Sequence, residues 1–391
     1  MEYFCRQPKL YSQFSCTGSS CPDNCCHNWG YILWSNEEYN KLFAADCSED
    51  LHNKIQNSFK RRDNANWQIN EGTEHICPFQ TADKLCQIQA ELGAGHLSSV
   101  CQVYPRIFYY KDNFILRTCN SSCNRVMELL INNNDIMELT DKLEQIDNIE
   151  KIMGGYPDDK AVNSKYPILK YRIDIFTFLY NIISNKKYSV EAALVLGALA
   201  TQQISKFEAN NQCDKIPKVL EALKSQLNNP EQIKKIESVT PNYSLKFNFV
   251  NKIIGFMYDC DIGFNSLYEN GSPSKEKYDI GTENVSKAFA DRPFAFRNIA
   301  LNILTECFIH FYSPKKSIYD NFAYLIACFA CIKFIAVSEY YFGTDKENEF
   351  ILKSTFTCRR MCHNNENVGN VLSFLKEHNC TSPAHLALLI K

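Results

Sequence analysis

The chain has 391 residues, with 42 lysines and arginines against 44 aspartates and glutamates, and 45% of its residues are hydrophobic. This is an ordinary globular composition, long enough for two domains that each have a core. A net charge of −2 argues against a protein built mainly to bind nucleic acid or an anionic membrane, because either task needs a basic surplus or a basic stripe. The low counts of 14 glycines and 13 prolines exclude collagen-like and long disordered architectures.

The beginning of the chain has no apolar run of signal-peptide length, because Arg6, Gln7 and Lys9 occupy the positions where one would lie. The longest apolar run, residues 322–332, extends to Val337 only across Lys333. It is shorter than the roughly 20 residues that span a bilayer. We therefore expect a cytoplasmic protein in which this run is a buried helix.

Cysteine is the outlier of the composition. The chain has 19 cysteines, of which 11 lie within residues 1–123. In a reducing compartment disulfides are disfavoured, and an odd number of cysteines cannot pair completely within one chain. Dense cysteine in this setting indicates a metal site or an iron–sulfur cluster, whereas the plain alternative is a set of inert buried thiols.

Residues 1–125 have little apolar periodicity, and only two short strands are predicted there, at 31–34 and 114–118. Apolar residues then recur at three- and four-residue steps from Val126 to Ile152, which predicts one long helix. The Gly- and Pro-containing stretch 154–167 is the candidate boundary. Further helices are predicted at 168–184, 190–207, 217–227, 245–258, 293–311, 318–341, 368–377 and 384–390, with a polar loop at 269–283.

The predicted fold is therefore mainly α. A cysteine-rich N-terminal metal or iron–sulfur domain, made of short irregular elements, is expected to pack on a larger all-helical domain. The predicted division is a cysteine-cluster domain at 1–125, a long helix and linker at 126–160, and a helical domain at 161–391.

Three cysteine groups are candidates for metal binding. Their spacings are C-x4-C-x3-C-C, C-x8-C-x14-C and C-x3-C. Thiolate ligands must converge on one centre, and short loops with glycine or proline allow the backbone to curl so that they can. Nine cysteines exceed four ligands, so only some are expected to bind the metal directly, and the spacing leaves the kind of metal open. The candidate ligands are Cys16, Cys21, Cys25, Cys26, Cys77, Cys86, Cys101, Cys119 and Cys123.

Other polar residues are weaker candidates for this chemistry. His27 and His75 are possible non-cysteine ligands, and Cys358, Cys362, His363 and Cys380 have a loose metal-like spacing. Cys328 and Cys331 are predicted to be core thiols of an apolar helix. Positive charge that offsets thiolate ligands is available from Arg106, Arg117 and Arg125, although each can equally be an ordinary surface arginine.

The cysteine groups lie within a wider pattern. It comprises Pro8, Tyr11, Phe14, Cys16, Gly18-Ser19, Cys21, Asp23, Cys25-Cys26, Trp29, Cys77-Pro78-Phe79, Leu85-Cys86, Leu92-Gly93, Leu97-Ser98, Cys101 and Tyr104-Pro105-Arg106. This pattern resembles the flagellin lysine-N-methylase family over residues 8–125. The resemblance implies methyl transfer from S-adenosylmethionine to lysine side chains of flagellin. It also implies a cysteine-bound iron–sulfur cluster, with 4Fe-4S favoured over zinc. In the family, the next cysteine group usually ends in a cysteine that is followed by an acidic residue and an arginine. This chain has Cys123-Asn124-Arg125, so it departs from the family at Asn124.

Two arrangements known from other methyl-transferring enzymes are missing from the sequence. The glycine-rich turn of the usual methyltransferase fold does not follow any predicted strand. The C-x3-C-x2-C spacing of radical enzymes is also missing, because Val126 and Asn365 stand where its third cysteine would be. We therefore expect a polar displacement by a deprotonated lysine, which a desolvated aromatic pocket favours. Tyr104, Tyr109 and Tyr110 are predicted to line that site.

Two other classes of function remain open at this stage. One is a non-enzymatic protein that binds metal or an iron–sulfur cluster. The other is an adaptor that binds flagellin through its helical face. Neither nucleic acid nor a membrane is an expected partner.

Overall fold

The computed structural model of the protein describes residues 1–26, 32–70, 76–147, 149, 155–157, 165–227, 229–257, 264–311, 316–362 and 365–391. Helices dominate these residues, so the predicted mainly α class is confirmed. Strands are concentrated in residues 1–157, apart from one short hairpin. The strands are β1 (Glu2–Pro8), β2 (Leu33–Ser35), β3 (Phe59–Arg61), β4 (Asn66–Ile69), β5 (Arg106–Lys111), β6 (Phe114–Cys119), β7 (Leu139–Gln145), β8 (Gly155–Pro157), β9 (Tyr268–Glu269) and β10 (Ser272–Pro273).

The strands form a mixed five-stranded sheet and a smaller three-stranded one. Their orders are β7-β1-β6-β5-β8 and β2-β4-β3. In the larger sheet β1 runs parallel to β6, with Cys5 opposite Ile115, and antiparallel to β7. The two predicted strands are confirmed as β2 and β6, although Tyr31 lies outside the described residues.

The prediction of one long helix from residue 126 to residue 152 is wrong. The helix ends at Asn132, and residues 139–145 form β7, which pairs with all seven residues of β1. Leu143 fitted the helical period but is 63% exposed, so it is no core position. Ion pairs from Arg6 to Asp141 and from Arg117 to Glu144 hold the strand in place. The backbone of β1 needed a partner, and this long-range pairing outweighed the local periodicity.

Helices build the remainder of the chain. They are α1 (Lys9–Gln13), α2 (Asn36–Phe43), α3 (Glu49–Ser58), α4 (Gln87–Leu92), α5 (Ser99–Val103), α6 (Asn124–Asn132), α7 (Arg172–Ser184), α8 (Val190–Ala209), α9 (Ile216–Gln226), α10 (Pro230–Glu237), α11 (Tyr243–Met257), α12 (Lys275–Ala288), α13 (Ala295–Glu306), α14 (Ile318–Tyr340), α15 (Glu347–Cys362), α16 (Asn365–Glu377) and α17 (Pro383–Ile390). A π-helical turn, Cys307–Phe311, continues α13.

Helix α14 is the centre of the helical part. It is long and apolar enough to cross a membrane, but 89% of its most apolar stretch is buried, as in the core helix of a globular protein. It packs against α8, α12, α15 and α17. The prediction of a buried helix at this run is therefore confirmed.

One large core joins the sheet to the helices. Leu116 and Tyr109 from the sheet belong to the same cluster as Phe176 and Phe329 from the helices. A second, smaller core lies among α2, α3, α4 and the three-stranded sheet. The large core contains residues from both sides of 126–160. The predicted division of the chain there stays a prediction.

The predicted loop at 269–283 is also wrong, because residues 268–273 form a hairpin and α12 begins at Lys275. Ser274 caps this helix, its hydroxyl accepting from the backbone N–H of Lys277. Gly281, which suggested a loop, lies where α12 approaches α14. A Cβ at this position would come within 2.3 Å of the Val337 carbonyl oxygen. The glycine is therefore required by close helix packing.

Replacing Gly281 with alanine is expected to destabilise the protein by about 3 kcal/mol, because the new methyl group must push two packed helices apart. Gly369→Ala is the matched control, since its Cβ meets nothing within 4 Å. That change is expected to stabilise the protein by about 1 kcal/mol through helix propensity. Urea unfolding of both variants measures the difference, and equal stabilities would contradict the packing argument.

Candidate metal and active site

The smaller core surrounds a cavity of about 90 Å³ near the start of the chain. Five cysteine side chains line it, together with apolar residues and one tyrosine. The lining residues are Cys25, Cys26, Ile32, Trp34, Ile69, Cys77, Phe79, Cys86, Ile88, Gln89, Leu97, Val100, Cys101 and Tyr104. Five of the nine predicted ligand cysteines therefore meet in one place, although they are spread over 77 residues of sequence.

Backbone hydrogen bonds bring three of these thiols together. The N–H of Cys77 donates to the carbonyl of Cys26 at 2.8 Å, which joins the first cysteine loop to the second. The backbone of Cys86 forms an isolated β-bridge with Gln80, and Cys86 occupies the N-cap position of α4. The thiol of Cys26 is close enough to those of Cys25 and Cys77 to interact with both.

Cys101 is placed by the short helix α5. The hydroxyl of Ser98 accepts from the Cys101 N–H at 3.2 Å. The carboxylate of Glu38 accepts from the N–H of Ser99 and from that of Ser35, both at 2.7 Å. Burial opposes ionisation of Glu38, but these hydrogen bonds outweigh it and lower its pKa. Glu38 thus ties α5 to the start of α2 beside the cavity.

The other four predicted ligands lie around this cavity or away from it. Cys123 and Cys21 are half-buried, and their thiols are close enough to each other for their charges to interact. Cys119 is fully buried at the end of β6 in the large core. Cys16 is exposed, with its Sγ accepting from the N–H of Gly18 at 3.4 Å.

The surroundings keep Cys26, Cys101 and Cys123 protonated at neutral pH. Burial raises the pKa of Cys101 and of Cys123 to about 12. As a whole residue, Cys101 is exposed to solvent. The cavity wall around its thiol nevertheless excludes enough water to raise the pKa of the thiol. For Cys26, a hydrogen bond with Cys25 favours the thiolate, yet the bond with Cys77 and burial raise the pKa to about 12. Several thiolates would therefore form here only with a cation that displaces their protons.

The donors fit a soft metal by their chemistry. Among the described residues, no three His, Cys, Asp or Glu side chains are arranged to hold a single metal ion. A tetrahedral zinc site needs its thiolates about 2.3 Å from one point. A cluster of several metal atoms takes one thiolate at each metal, so its ligands need not meet at one point.

The three predicted tyrosines do not meet. Tyr104 lines the cavity, and its hydroxyl lies 3.0 Å from that of Ser122. Burial raises the pKa of Tyr104 well above its usual value. Tyr109 is fully buried in the large core beneath the guanidinium of Arg172, whereas Tyr110 packs on the other face of the sheet. Alternation along β5 separates the two, so only Tyr104 is placed to act beside the cysteines.

Residues of the helical part contact the cysteine loops. The sequence did not predict these contacts. Arg359 of α15 forms an ion pair with Asp23 at 3.0 Å. Thr355, one turn earlier, donates to the side-chain oxygen of Asn124 at 2.6 Å. The amide of Asn124 donates in turn to the carbonyl of Asp23 at 2.9 Å. The departure at Asn124 is thus accommodated by neutral hydrogen bonds.

A second contact of this kind holds the loop after β6. The side-chain amide of Asn302 donates to the carbonyl of Cys119 at 2.9 Å. The carboxylate of Glu306 accepts from the N–H of Ser121 at 2.8 Å. Some 180 residues separate these partners, so no local signal in the sequence reveals them.

The remaining candidates lie elsewhere. Arg106 donates to the carbonyl of Phe14, and Arg117 and Arg125 pair with Glu144 and Glu128. Against the larger effect of burial, the charge of Arg106 lowers the pKa of the predicted ligand Cys119, and the backbone N–H of Arg125 lowers that of Cys123. The core positions predicted for two thiols are confirmed, and two others are buried as well. The buried thiols are Cys328, Cys331, Cys358 and Cys380. His27, His75 and His363 lie outside the described residues, and the side chain of Cys362 is not described.

The fold and the site thus define a mainly helical protein with a thiol-lined cavity near its N-terminus. The profile of the FliB lysine N-methylase C-terminal domain matches residues 177–389, more than half of the chain. This chain belongs to the FliB lysine N-methylase family. The match falls on the helical part, in which the sequence analysis found no motif.

The names of individual proteins similar to this chain agree with this family. Two proteins described as lysine-N-methylase, from Salmonella typhimurium strain LT2 and Salmonella choleraesuis strain SC-B67, are each 23% identical over 251 residues. The aligned part covers 62% of this chain, which spans 59% of the length of either relative. A flagellar biosynthetic protein FliU of Salmonella muenchen is 28% identical over 138 residues, covering 35% of this chain and 82% of that protein. No solved structure matches this chain significantly.

Proposed function

We propose that this protein is a protein-lysine N-methyltransferase that transfers methyl groups from S-adenosylmethionine to lysine side chains of flagellin. The observation that carries the proposal is the family match over residues 177–389. The names of the relatives, lysine-N-methylase and a flagellar biosynthetic protein, support lysine as the acceptor and flagellin as the substrate.

We further propose that the cysteines around the cavity hold an iron–sulfur cluster, 4Fe-4S rather than zinc. Its four ligands would come from among Cys25, Cys26, Cys77, Cys86 and Cys101, with Cys21 and Cys123 adjacent to them. Such a cluster would supply a fixed charged centre and redox chemistry when bound. Reduced thiols also agree with the cytoplasmic location that we expect.

The transfer itself is proposed as a polar displacement. The lone pair of the neutral lysine amine forms the new N–C bond to the methyl carbon, the carbon–sulfur bond breaks, and S-adenosylhomocysteine leaves. The lysine proton passes to solvent, because desolvation at a partly apolar site lowers the pKa of the amine. With its raised pKa, Tyr104 stays a neutral phenol. It would therefore orient the amine by a hydrogen bond, and it would not act as the base.

The test is incubation of anaerobically purified protein with unmethylated flagellin and S-adenosylmethionine. Flagellin mass and the visible spectrum of the protein are read from the same sample. We expect flagellin to gain mass in methyl-group steps and the protein to show the broad absorption of iron–sulfur. Flagellin binding without any mass gain would favour an adaptor, and an intact cluster without methylation would favour a non-enzymatic iron–sulfur protein.

A further inference from the structure

Arg359 occupies an unusual position for a charged residue of the helical part. Its side chain is only 9% exposed, and its Nη2 lies 3.0 Å from the Asp23 carboxylate. Asp23 stands between Cys21 and Cys25. A contact of 3.5 Å from the same nitrogen reaches the carbonyl of Ser122. The guanidinium therefore touches both the loop of Cys21 and Cys25 and the loop that ends at Cys123.

Helix α15 makes this contact with two residues of one face. Thr355 and Arg359 are four residues apart and so project in the same direction. Thr355 bonds Asn124, next to Cys123, while Arg359 bonds Asp23. Two cysteine loops that are about 100 residues apart in sequence are thus fastened to one rigid helix.

The charge of Arg359 has the sign that a thiolate site needs. Arg359 lies close enough to Cys25 for their charges to interact. Its planar fork also fixes the direction of its contacts, which a lysine cannot do.

We propose that Arg359 is a positioning residue of the thiol-lined cavity, which holds the loops of Cys25 and Cys123 in register and compensates the negative charge of their thiolates in the loaded site. This inference rests on the proposed metal site and not on methyl transfer. It explains why the helical part and the cysteine loops occur in one chain, because the helical part would complete the site.

The test compares Arg359→Gln and Arg359→Lys with Arg292→Gln. Arg292 is a matched control, because it also links the N-terminal part to the helical part, through Asn132 and Glu347 at 2.6 Å each, but it contacts none of the cysteine loops. Cobalt binding to the metal-free proteins is titrated through the thiolate-to-cobalt absorption. Iron and sulfide content and the reduction potential are measured after anaerobic reconstitution.

We expect Arg359→Gln to weaken cobalt binding by roughly 10- to 100-fold, as is usual for a residue that orients metal ligands. Its cluster should have a more negative reduction potential, because the nearby positive charge is lost. Arg359→Lys should recover the potential better than the cobalt affinity, and Arg292→Gln should change neither. Asp23→Asn, which keeps the shape of the loop, tests the same contact should Arg359→Gln fail to fold.

Two results would overturn the inference. One is a folded Arg359→Gln protein with the cobalt affinity and reduction potential of the wild type. The other is wild-type protein that binds neither cobalt nor iron, which would remove the metal site itself. A wild-type protein that holds its cluster but does not methylate flagellin would contradict the enzyme proposal alone, and would leave the role of Arg359 intact.

Discussion

Replacing Cys101 with serine is expected to remove most of the iron and sulfide from anaerobically purified protein, together with its methylation of flagellin. Cys101 lines the cavity on α5, and its thiol interacts with those of Cys25 and Cys86. A serine hydroxyl does not ionise at neutral pH and is a poor ligand for iron, so the cluster would lose one of its bonds. We expect at least a tenfold fall in iron retained after chelator treatment, on the order of the loss seen for weaker perturbations of metal sites.

Cys47→Ser is the matched control for this experiment. Cys47 is partly buried and packs against the same small core, but it does not line the cavity. Its variant should keep the iron content and visible spectrum of the wild type. Full iron content in Cys101→Ser, with an unchanged spectrum, would exclude Cys101 from the ligands.

Replacing Lys246 with methionine is expected to stabilise the protein at neutral pH. Lys246 is 2% exposed in α11, and its Nζ donates to the Tyr278 hydroxyl at 2.8 Å. Burial and the charge of Lys333 together lower its pKa from 10.5 to about 7, against an opposing effect of Glu191. A shift of this size corresponds to roughly 5 kcal/mol of cost for the charged amine.

The direction of the pH dependence follows from proton linkage. Between about pH 7 and pH 10.5 the unfolded chain holds a proton on Lys246 that the folded protein has released, so stability rises with pH over this range. Below about pH 7 the full cost is present. Methionine abolishes this dependence, while the lost hydrogen bond to Tyr278 costs about 2 kcal/mol. The expected net gain is about 3 kcal/mol below pH 7, and it should turn into a net loss of about 1 kcal/mol towards pH 10, where the charge cost has nearly vanished and the loss of the hydrogen bond remains.

Urea unfolding of wild type and Lys246→Met at several pH values between 6 and 10 measures this effect. Lys252→Met is the control, because Lys252 belongs to the same helix but is exposed. It should leave the slope of stability against pH unchanged. Parallel curves of unfolding free energy against pH for the wild type and Lys246→Met would show that the buried amine remains charged over the whole pH range.

Local sequence features predicted the site better than they predicted its surroundings. The spacing of the cysteines indicated a thiol cluster, and five of these thiols do line one cavity. The polar residues that hold the loops could not be found in this way. Arg359, Asn302 and Glu306 lie on helices whose sequence near these positions resembles ordinary helix surface or core, and only folding brings them to the cysteines.

Local patterns were sufficient to predict the mainly α class, the burial of α14, the strand at β6 and the concentration of thiols near the N-terminus. Periodicity and composition are local properties, and packing did not override them in these segments. Three other features became apparent only in the folded chain: residues 139–145 pair with β1, Gly281 lies inside a helix, and α15 reaches the cysteine loops. Each of these depends on a partner more than 50 residues away, whose position no local pattern encodes.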